Sequence, residues 1–261
     1  VKGREQKVTK QPIDKVKGFF AGGLEMFNRL VWAKRCINCR EVIFEAGGDL
    51  CSSCGQQLNL VAGGDYCRRC GRNVSEYAVF QGSCSQCREE EIFFDAIARC
   101  GIYEQSLREM ILSFKCGRME TLKTLGFLAN SALAGSSFVE DIEFFVPVPL
   151  HWTRKVHRGY NQSLVLAKRL KHPAAKVNTD FARIRRTKMQ TSMASVHQRL
   201  KNVEGAFAVR HRHPYIGKKV CLVDDIKTTG ATLNECARQL KDAGAAKVFA
   251  LVLAVADQRV D

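Results

Sequence analysis

Thirteen consecutive residues carry the densest chemistry in this 261-residue chain: Val220-Cys221-Leu222-Val223-Asp224-Asp225-Ile226-Lys227-Thr228-Thr229-Gly230-Ala231-Thr232. A hydrophobic strand, Val220 to Val223, runs out into two adjacent acids. A small, hydroxyl-rich loop then turns into a helix at Thr232. Free backbone N–H groups at a helix N-terminus, aided by the helix dipole, make an anion site. Thr228, Thr229 and Thr232 add hydroxyl donors, and Gly230 lets the backbone approach closely. Paired carboxylates just before such a loop hold the hydroxyls of a sugar whose phosphate sits in it. An ordinary strand–turn–helix with a polar loop accounts for any two of these features but not for the whole set. Ligands of open α/β sheets bind at the carboxyl ends of strands, which is where this segment lies.

A second chemistry resides in cysteine. Eight of the twelve cysteines form four Cys-x-x-Cys pairs: Cys36-Cys39, Cys51-Cys54, Cys67-Cys70 and Cys84-Cys87. Each pair wraps a tight knuckle offering two sulfurs to one metal, and two knuckles complete the tetrahedral shell that Zn²⁺ prefers. Eight ligands imply two structural zinc ions. Taking neighbours in order gives one site from the first two pairs and one from the last two; a cross-braced pairing satisfies the same spacing. Gly55 and Gly71 follow a second Cys, where a positive φ suits the turn. A thioredoxin-like redox site needs only one pair beside a βαβ unit, so four regular pairs disfavour it. Cys100, Cys116, Cys221 and Cys236 stand apart; Cys221 in a strand and Cys236 on a helix's apolar face read as core packing.

These groups need elements to position them. Leu107, Met110, Ile111 and Phe114 recur at helical spacing after a strand from Phe93 to Tyr103, and a further helix is predicted from Thr121 to Leu133. Phe144 to Leu150 is a buried strand ending in Pro147-Val148-Pro149, with a helix from Asn161 to Leu170 behind it. Thr232 to Ala243 carries the apolar stripe Leu233, Cys236, Ala237 and Leu240, closed by Gly244, and Lys247 to Ala256 is another strand. Strands alternating with helices predict an α/β fold with a mainly parallel sheet covered on both faces. The expected domain order is a basic, disordered tail (1–18), a leading helix (19–35), a small Cys-rich module (36–90) and the α/β domain (91–261).

The formal charge is +15, and the stretch from Leu150 to Val203 supplies +12 of it, with Asp180 as its one acid. So basic a surface favours polyanions, whether a pyrophosphate or a nucleic-acid backbone, although a solvated basic face accounts for the charge alone equally well. Arg183 to Lys201 holds six cations and no acid, a composition that suits a flap closing over a bound polyanion. No apolar run approaches the roughly 20 residues of a spanning helix. With no apolar stretch and small-residue cleavage site near the first residue, the expected location is cytoplasmic.

The thirteen-residue segment resembles the signature of type I phosphoribosyltransferases that binds 5-phosphoribosyl-1-pyrophosphate (PRPP). The resemblance implies that Asp224 and Asp225 hold the ribose hydroxyls and that Thr228, Thr229, Gly230, Ala231 and Thr232 hold the 5-phosphate. Lys227 stands where that family usually has an apolar residue, and either adds a phosphate contact or points to solvent. Val146-Pro147-Val148-Pro149-Leu150, Arg158-Gly159-Tyr160-Asn161-Gln162-Ser163 and the series Arg183, Arg185, Thr187, Gln190, Arg199, Asn202, Ala206, Phe207 are similar to the ComF family of competence proteins. So are the cysteine pairs, which match that family's double zinc ribbon. Lys115 also fits, although Cys116 stands where an aromatic is usual.

That resemblance implies a type I phosphoribosyltransferase fold after a double zinc ribbon, with Mg²⁺ accompanying PRPP. It places the pyrophosphate near Leu150, Arg154, Lys155 and Arg158, and the flexible loop around Arg185, Gln190 and Arg199. The implied role is DNA uptake in natural transformation, beside single-stranded DNA and other competence proteins. Two activities fit it: Mg-dependent phosphoribosyl transfer to an acceptor, or non-catalytic, PRPP-regulated handling of single-stranded DNA.

Overall fold

The four cysteine pairs gather in space in sequence order: Cys36, Cys39, Cys51 and Cys54 in one group, Cys67, Cys70, Cys84 and Cys87 in the other. A computed structural model describes residues 34–43, 48–75, 78–80, 83–187 and 196–256. The basic tail, the leading helix as far as residue 33, and Gln190 lie outside these. Two compact units divide the chain, Val1–Ser52 and Ser53–Asp261.

In the first unit the knuckle closes through Arg40 N–H donating to Cys36 O (3.0 Å), with Arg35 and Val42 bridged across it. Lys34 pairs with Asp49 at 3.1 Å.

The second unit repeats the knuckle at Cys67, where Gly71 N–H donates to Cys67 O (2.7 Å) and Tyr66 bridges to Asn73. Gly71 takes φ +81°, as its place after the Cys predicts. Gly55 does not follow that expectation, because it lies inside the helix Ser52–Val61. A hairpin of β1 (Val79–Phe80) and β2 (Ser83–Cys84) brings the last cysteine pair round.

The main sheet comprises β3 (Ala96–Ile102), β4 (Phe144–Pro147), β5 (Lys176–Val177), β8 (Lys219–Lys227) and β9 (Lys247–Val255). Their order is β3-β9-β8-β4-β5, with every neighbouring pair parallel. Between β5 and β8 the chain makes a separate antiparallel ribbon from β6 (Phe181–Arg183) and β7 (Phe207–Val209).

β9 reads as an unbroken apolar run because it is covered on both faces, buried at every residue after Lys247. Val248, Ala250 and Val252 share a core cluster with Val220 and Leu222 and with Leu233, Cys236, Ala237 and Leu240 of the helix Ala231–Asp242. Phe249, between them, stacks on Phe138 with ring centroids 4.4 Å apart. The predicted stripe is therefore the face by which that helix covers the sheet. Truncating Leu240 there would cost about 2–5 kcal/mol.

The α/β class with a parallel sheet is borne out. Predicted boundaries move by a few residues: the helices run Gln105–Lys115, Leu122–Ala134 and Gln162–Ala167. Among the described residues, no helix is long and apolar enough to cross a membrane.

Candidate functional site

β8 does not stop at Val223 as its apolar run predicts. It stays paired with β9 through Asp224, opposite Val252, to Lys227, opposite Val255, because β9 offers backbone partners along its whole length. Both acids thus sit on rigid strand rather than in the loop. Gly230 then turns the chain with φ +84° and serves as N-cap of the helix Ala231–Asp242, one residue earlier than expected. A side chain there would be strained, and its Cβ would lie 2.9 Å from Lys227 Cε. Thr229 Oγ1 accepts from Ala231 N–H at 3.4 Å.

Neighbouring residues on a strand point to opposite faces, and the two acids meet different partners. Asp224 Oδ1 accepts from Ser163 Oγ (3.0 Å) and from Asp225 N–H (2.9 Å). Asp225 Oδ2 pairs with Lys115 Nζ at 3.0 Å. Burial, reinforced by the charge of Asp225, pushes the Asp224 carboxyl up to about 7; its hydrogen bonds and Lys115 oppose the rise.

The Arg158 to Ser163 motif works as a brace for this site. Asn161 caps the helix Gln162–Ala167 by accepting from Ser163 N–H (3.0 Å), while its amide donates to Val148 O (3.1 Å). Val148 N–H in turn donates to Val223 O (2.9 Å), tying the turn after Pro147 to β8. Arg158 Nη1 donates to Gln162 Oε1 at 3.4 Å. Tyr160 donates its hydroxyl to Phe114 O, beside Lys115.

Leu150 is half-buried at the turn, and His151, buried, accepts from Thr153 N–H through Nδ1 (3.4 Å). Arg154 and Lys155 belong to the helix Trp152–Arg158, whose first residue, Trp152, is 68% exposed.

The predicted flap is the excursion between β6 and β7. Arg185 donates to Asn202 O (3.2 Å) and Glu204 O (2.6 Å), closing the excursion on itself. Arg199 is half-buried on the helix Val196–Val203. Glu235, buried in the signature helix, accepts from Gly205 N–H (2.9 Å) and pins the returning chain. A cavity of about 680 Å³ opens beside the turn that ends β8, lined in part by Arg72, Lys201, Lys227, Thr229 and Gly230.

Both cysteine groups suit zinc. A Zn–S length of about 2.3 Å sets tetrahedral sulfur–sulfur edges of about 3.8 Å, and Cys39–Cys51, Cys67–Cys87 and Cys70–Cys84 each stand at 3.6 Å. In the second group a hydrogen bond from Cys70 holds the Cys67 thiol down at about 4, while burial holds Cys87 up at about 11. Four sulfurs this close cannot all be thiolates without a cation among them.

Sequence reasoning passed over Ser163, Glu235 and the pairing of Lys115 with Asp225. Ser163 lay within a quoted motif; the other two leave no local signal.

Residues 27–88 match the double zinc ribbon domain, and residues 158–260 the phosphoribosyl transferase domain. Competence protein F of Haemophilus influenzae is 32% identical over 223 residues, covering 82% of this chain and 93% of that protein. Competence protein ComFC of Bacillus subtilis is 29% identical over 224 residues, covering 82% of this chain and 80% of that protein. DNA utilization protein YhgH of Salmonella typhi is 38% identical over 105 residues, 40% of this chain and 45% of that protein. Among solved structures, the glutamine PRPP amidotransferase of B. subtilis overlays with a TM-score of 0.35 at 18% identity, over 51% of this chain and 26% of that one.

Proposed function

We propose a function from one premise: the chain belongs to the ComF family of competence proteins. It binds PRPP with Mg²⁺ and serves the uptake and use of incoming DNA in the cytoplasm. One observation carries this reading: two carboxylates fixed on the end of β8 lead directly into a glycine-capped helix N-terminus rich in threonine.

In this reading Asp224 and Asp225 accept the ribose hydroxyls. The N–H groups and hydroxyls of Thr228 to Thr232 take the 5-phosphate. The turn at Leu150, with Arg154, Lys155 and Arg158, faces the pyrophosphate, and the flap carrying Arg185, Gln190 and Arg199 closes over it. Magnesium usually binds through one or two carboxylates plus substrate phosphates, and this acid pair fits that habit. The ion would neutralise the pyrophosphate. Transfer, where it occurs, forms a bond at the anomeric carbon as the bond to pyrophosphate breaks, the leaving group taking the electron pair. Positioning and charge stabilisation are the protein's contribution.

Calorimetric titration of PRPP with Mg²⁺ tests the site, repeated with Asp224→Ala and Asp225→Ala combined. Binding lost in the double variant supports the assignment; binding that survives overturns it. Pyrophosphate release that requires an added acceptor supports transfer.

The single-stranded DNA reading draws on Trp152. Exposed beside a strongly basic stretch, it offers a face on which bases stack. DNA affinity that falls steeply with salt, and weakens several-fold in Trp152→Ala, supports this reading; no measurable affinity at low salt removes it.

A further inference from the structure

We propose that Lys227 couples the second zinc site to the phosphate loop, so that metal held by Cys67, Cys70, Cys84 and Cys87 tightens the hold on PRPP. This rests on the reading that the loop takes the 5-phosphate.

Lys227 neither points to solvent nor behaves as an apolar core residue. It is 4% exposed. Among the described residues its ammonium has no carboxylate within ion-pair range, and Glu90, which lines the same cavity, is taken by Arg72 at 2.6 Å. The side chain runs directly beneath the loop: a Cβ on Gly230 would lie 2.9 Å from its Cε and 3.5 Å from its Nζ. Whatever fixes this ammonium therefore also fixes the turn that opens the helix.

The second cysteine knuckle sits on the same strand ends. Lys227 is in register with Val255, and a Cβ on Gly71 would lie 3.2 Å from Val255 Cγ2 and 3.3 Å from Ile97 Cγ2. The knuckle is anchored there from several directions. Arg99, buried, donates to Gly71 O at 2.9 Å, and Ile97 N–H donates to Arg68 O at 2.8 Å. Arg69 reaches Phe94 O (2.5 Å) and Ile92 O (2.6 Å). From the other side, Asn234 in the first turn of the signature helix accepts from Phe93 N–H (2.6 Å) and donates to Glu91 O (2.7 Å). Ribbon, linker and phosphate loop form one braced unit with Lys227 inside it.

Electrostatics gives the brace a sign. A zinc ion held by four thiolates keeps a net negative charge. Burial disfavours the Lys227 ammonium and Arg72 adds to that, while the thiolates of Cys70 and Cys84 and the carboxylate of Glu90 act in its favour. A loaded cluster adds its net negative charge to that of Glu90 in favour of this buried cation. The ammonium then stays under Gly230, where its positive potential adds to the helix N-terminus facing the phosphate.

Linkage makes the proposal measurable, since zinc can tighten PRPP only if PRPP tightens zinc by the same factor. The experiment is an equilibrium competition for zinc against a chromophoric chelator, with and without saturating PRPP and Mg²⁺. The Asp224→Asn, Asp225→Asn double variant reports zinc taken by free PRPP. We expect one of the two zinc ions to bind about tenfold more tightly with PRPP present, within the usual span of coupling energies. In Lys227→Met that ratio falls towards one. Equal zinc affinity with and without PRPP, in wild-type protein shown by calorimetry to bind PRPP, overturns the coupling and leaves the site assignment standing. Wild-type protein that binds no PRPP overturns both. The wild-type comparison decides the matter even if Lys227→Met fails to fold.

Discussion

Lys115 and Asp225 meet at 3.0 Å, the last residue of one helix against the second acid of a strand far along the chain. Their side chains are 21% and 14% exposed, so the pair is shielded enough to matter without being sealed from water. Its consequence is local: the Lys115 ammonium opposes the rise that burial, and then the charge of Asp225, impose on the neighbouring Asp224 carboxyl. Removing the ammonium leaves two adjacent carboxyls to share one negative field.

Lys115→Met should therefore weaken PRPP binding roughly tenfold. It should also lower stability at neutral pH by about 1–3 kcal/mol, less than for a fully buried pair. Calorimetry and urea unfolding read the two effects. Unchanged affinity would remove Lys115 from the site.

Asp224 predicts a pH dependence. The folded chain keeps that proton up to about pH 7, whereas an unfolded chain releases it near pH 4. Folding thus retains a proton between those values, and the stability contributed by this group falls as pH rises through the window. Asp224→Asn should be more stable than wild type at pH 8, on the order of 1–2 kcal/mol once partial solvent access is discounted, while losing PRPP binding. In wild type, affinity for PRPP should rise from pH 6 to pH 8 as the carboxylate forms. Ser163→Ala removes a hydrogen bond that favours the carboxylate, so the midpoint should move upward. A pH-independent affinity in both proteins would contradict this account.

What could be read in the sequence was what local spacing determines. The acid pair, the threonine loop and the stripe Leu233, Cys236, Ala237, Leu240 depend on residues a few positions apart; the stripe lies where the pattern puts it, while the acids stay on the strand and the helix opens one residue early. The cysteine pairs announced tetrahedral metal sites for the same reason. Which pairs share a site is a matter of how knuckles meet in space, so only coordinates distinguish the sequential groups from a cross-braced arrangement. Lys227 was ambiguous because its surroundings depend on β8 continuing past the acids, which β9 decides. The partnerships of Asp225 with Lys115 and of Asp224 with Ser163 join β8 to helices remote in sequence, and no spacing rule reaches that far.

Gly101 is a case that composition hides completely. It lies in β3, bridged to Ala62, with Gly63 N–H donating to Cys100 O at 2.8 Å. A Cβ at Gly101 would sit 2.2 Å from Val61 O, a backbone atom that cannot rotate away. Gly101→Ala should cost about 1–3 kcal/mol in urea unfolding, the scale of overpacking a well-filled interior. A loss below about 0.5 kcal/mol, the scale of a surface change, would show that the segment moves aside freely.

The metal prediction separates ligand cysteines from packing ones. Metal analysis of the whole chain should find two zinc ions. Cys70→Ser should leave one, because Cys70 is fully buried in the second group with its sulfur 3.6 Å from that of Cys84. Loss of that ion also loosens the knuckle on which Arg99 and Ile97 rely, so Tm should fall by roughly 10 °C. Cys100 is the matched control: equally hidden at 4% exposure, its thiol pushed up by burial, and outside both groups. Cys100→Ser should retain both zinc ions. A protein that purifies with neither zinc nor iron, or a Cys70→Ser variant that keeps two zinc ions, would break the link drawn between the Cys-x-x-Cys spacing and the two tetrahedral sites.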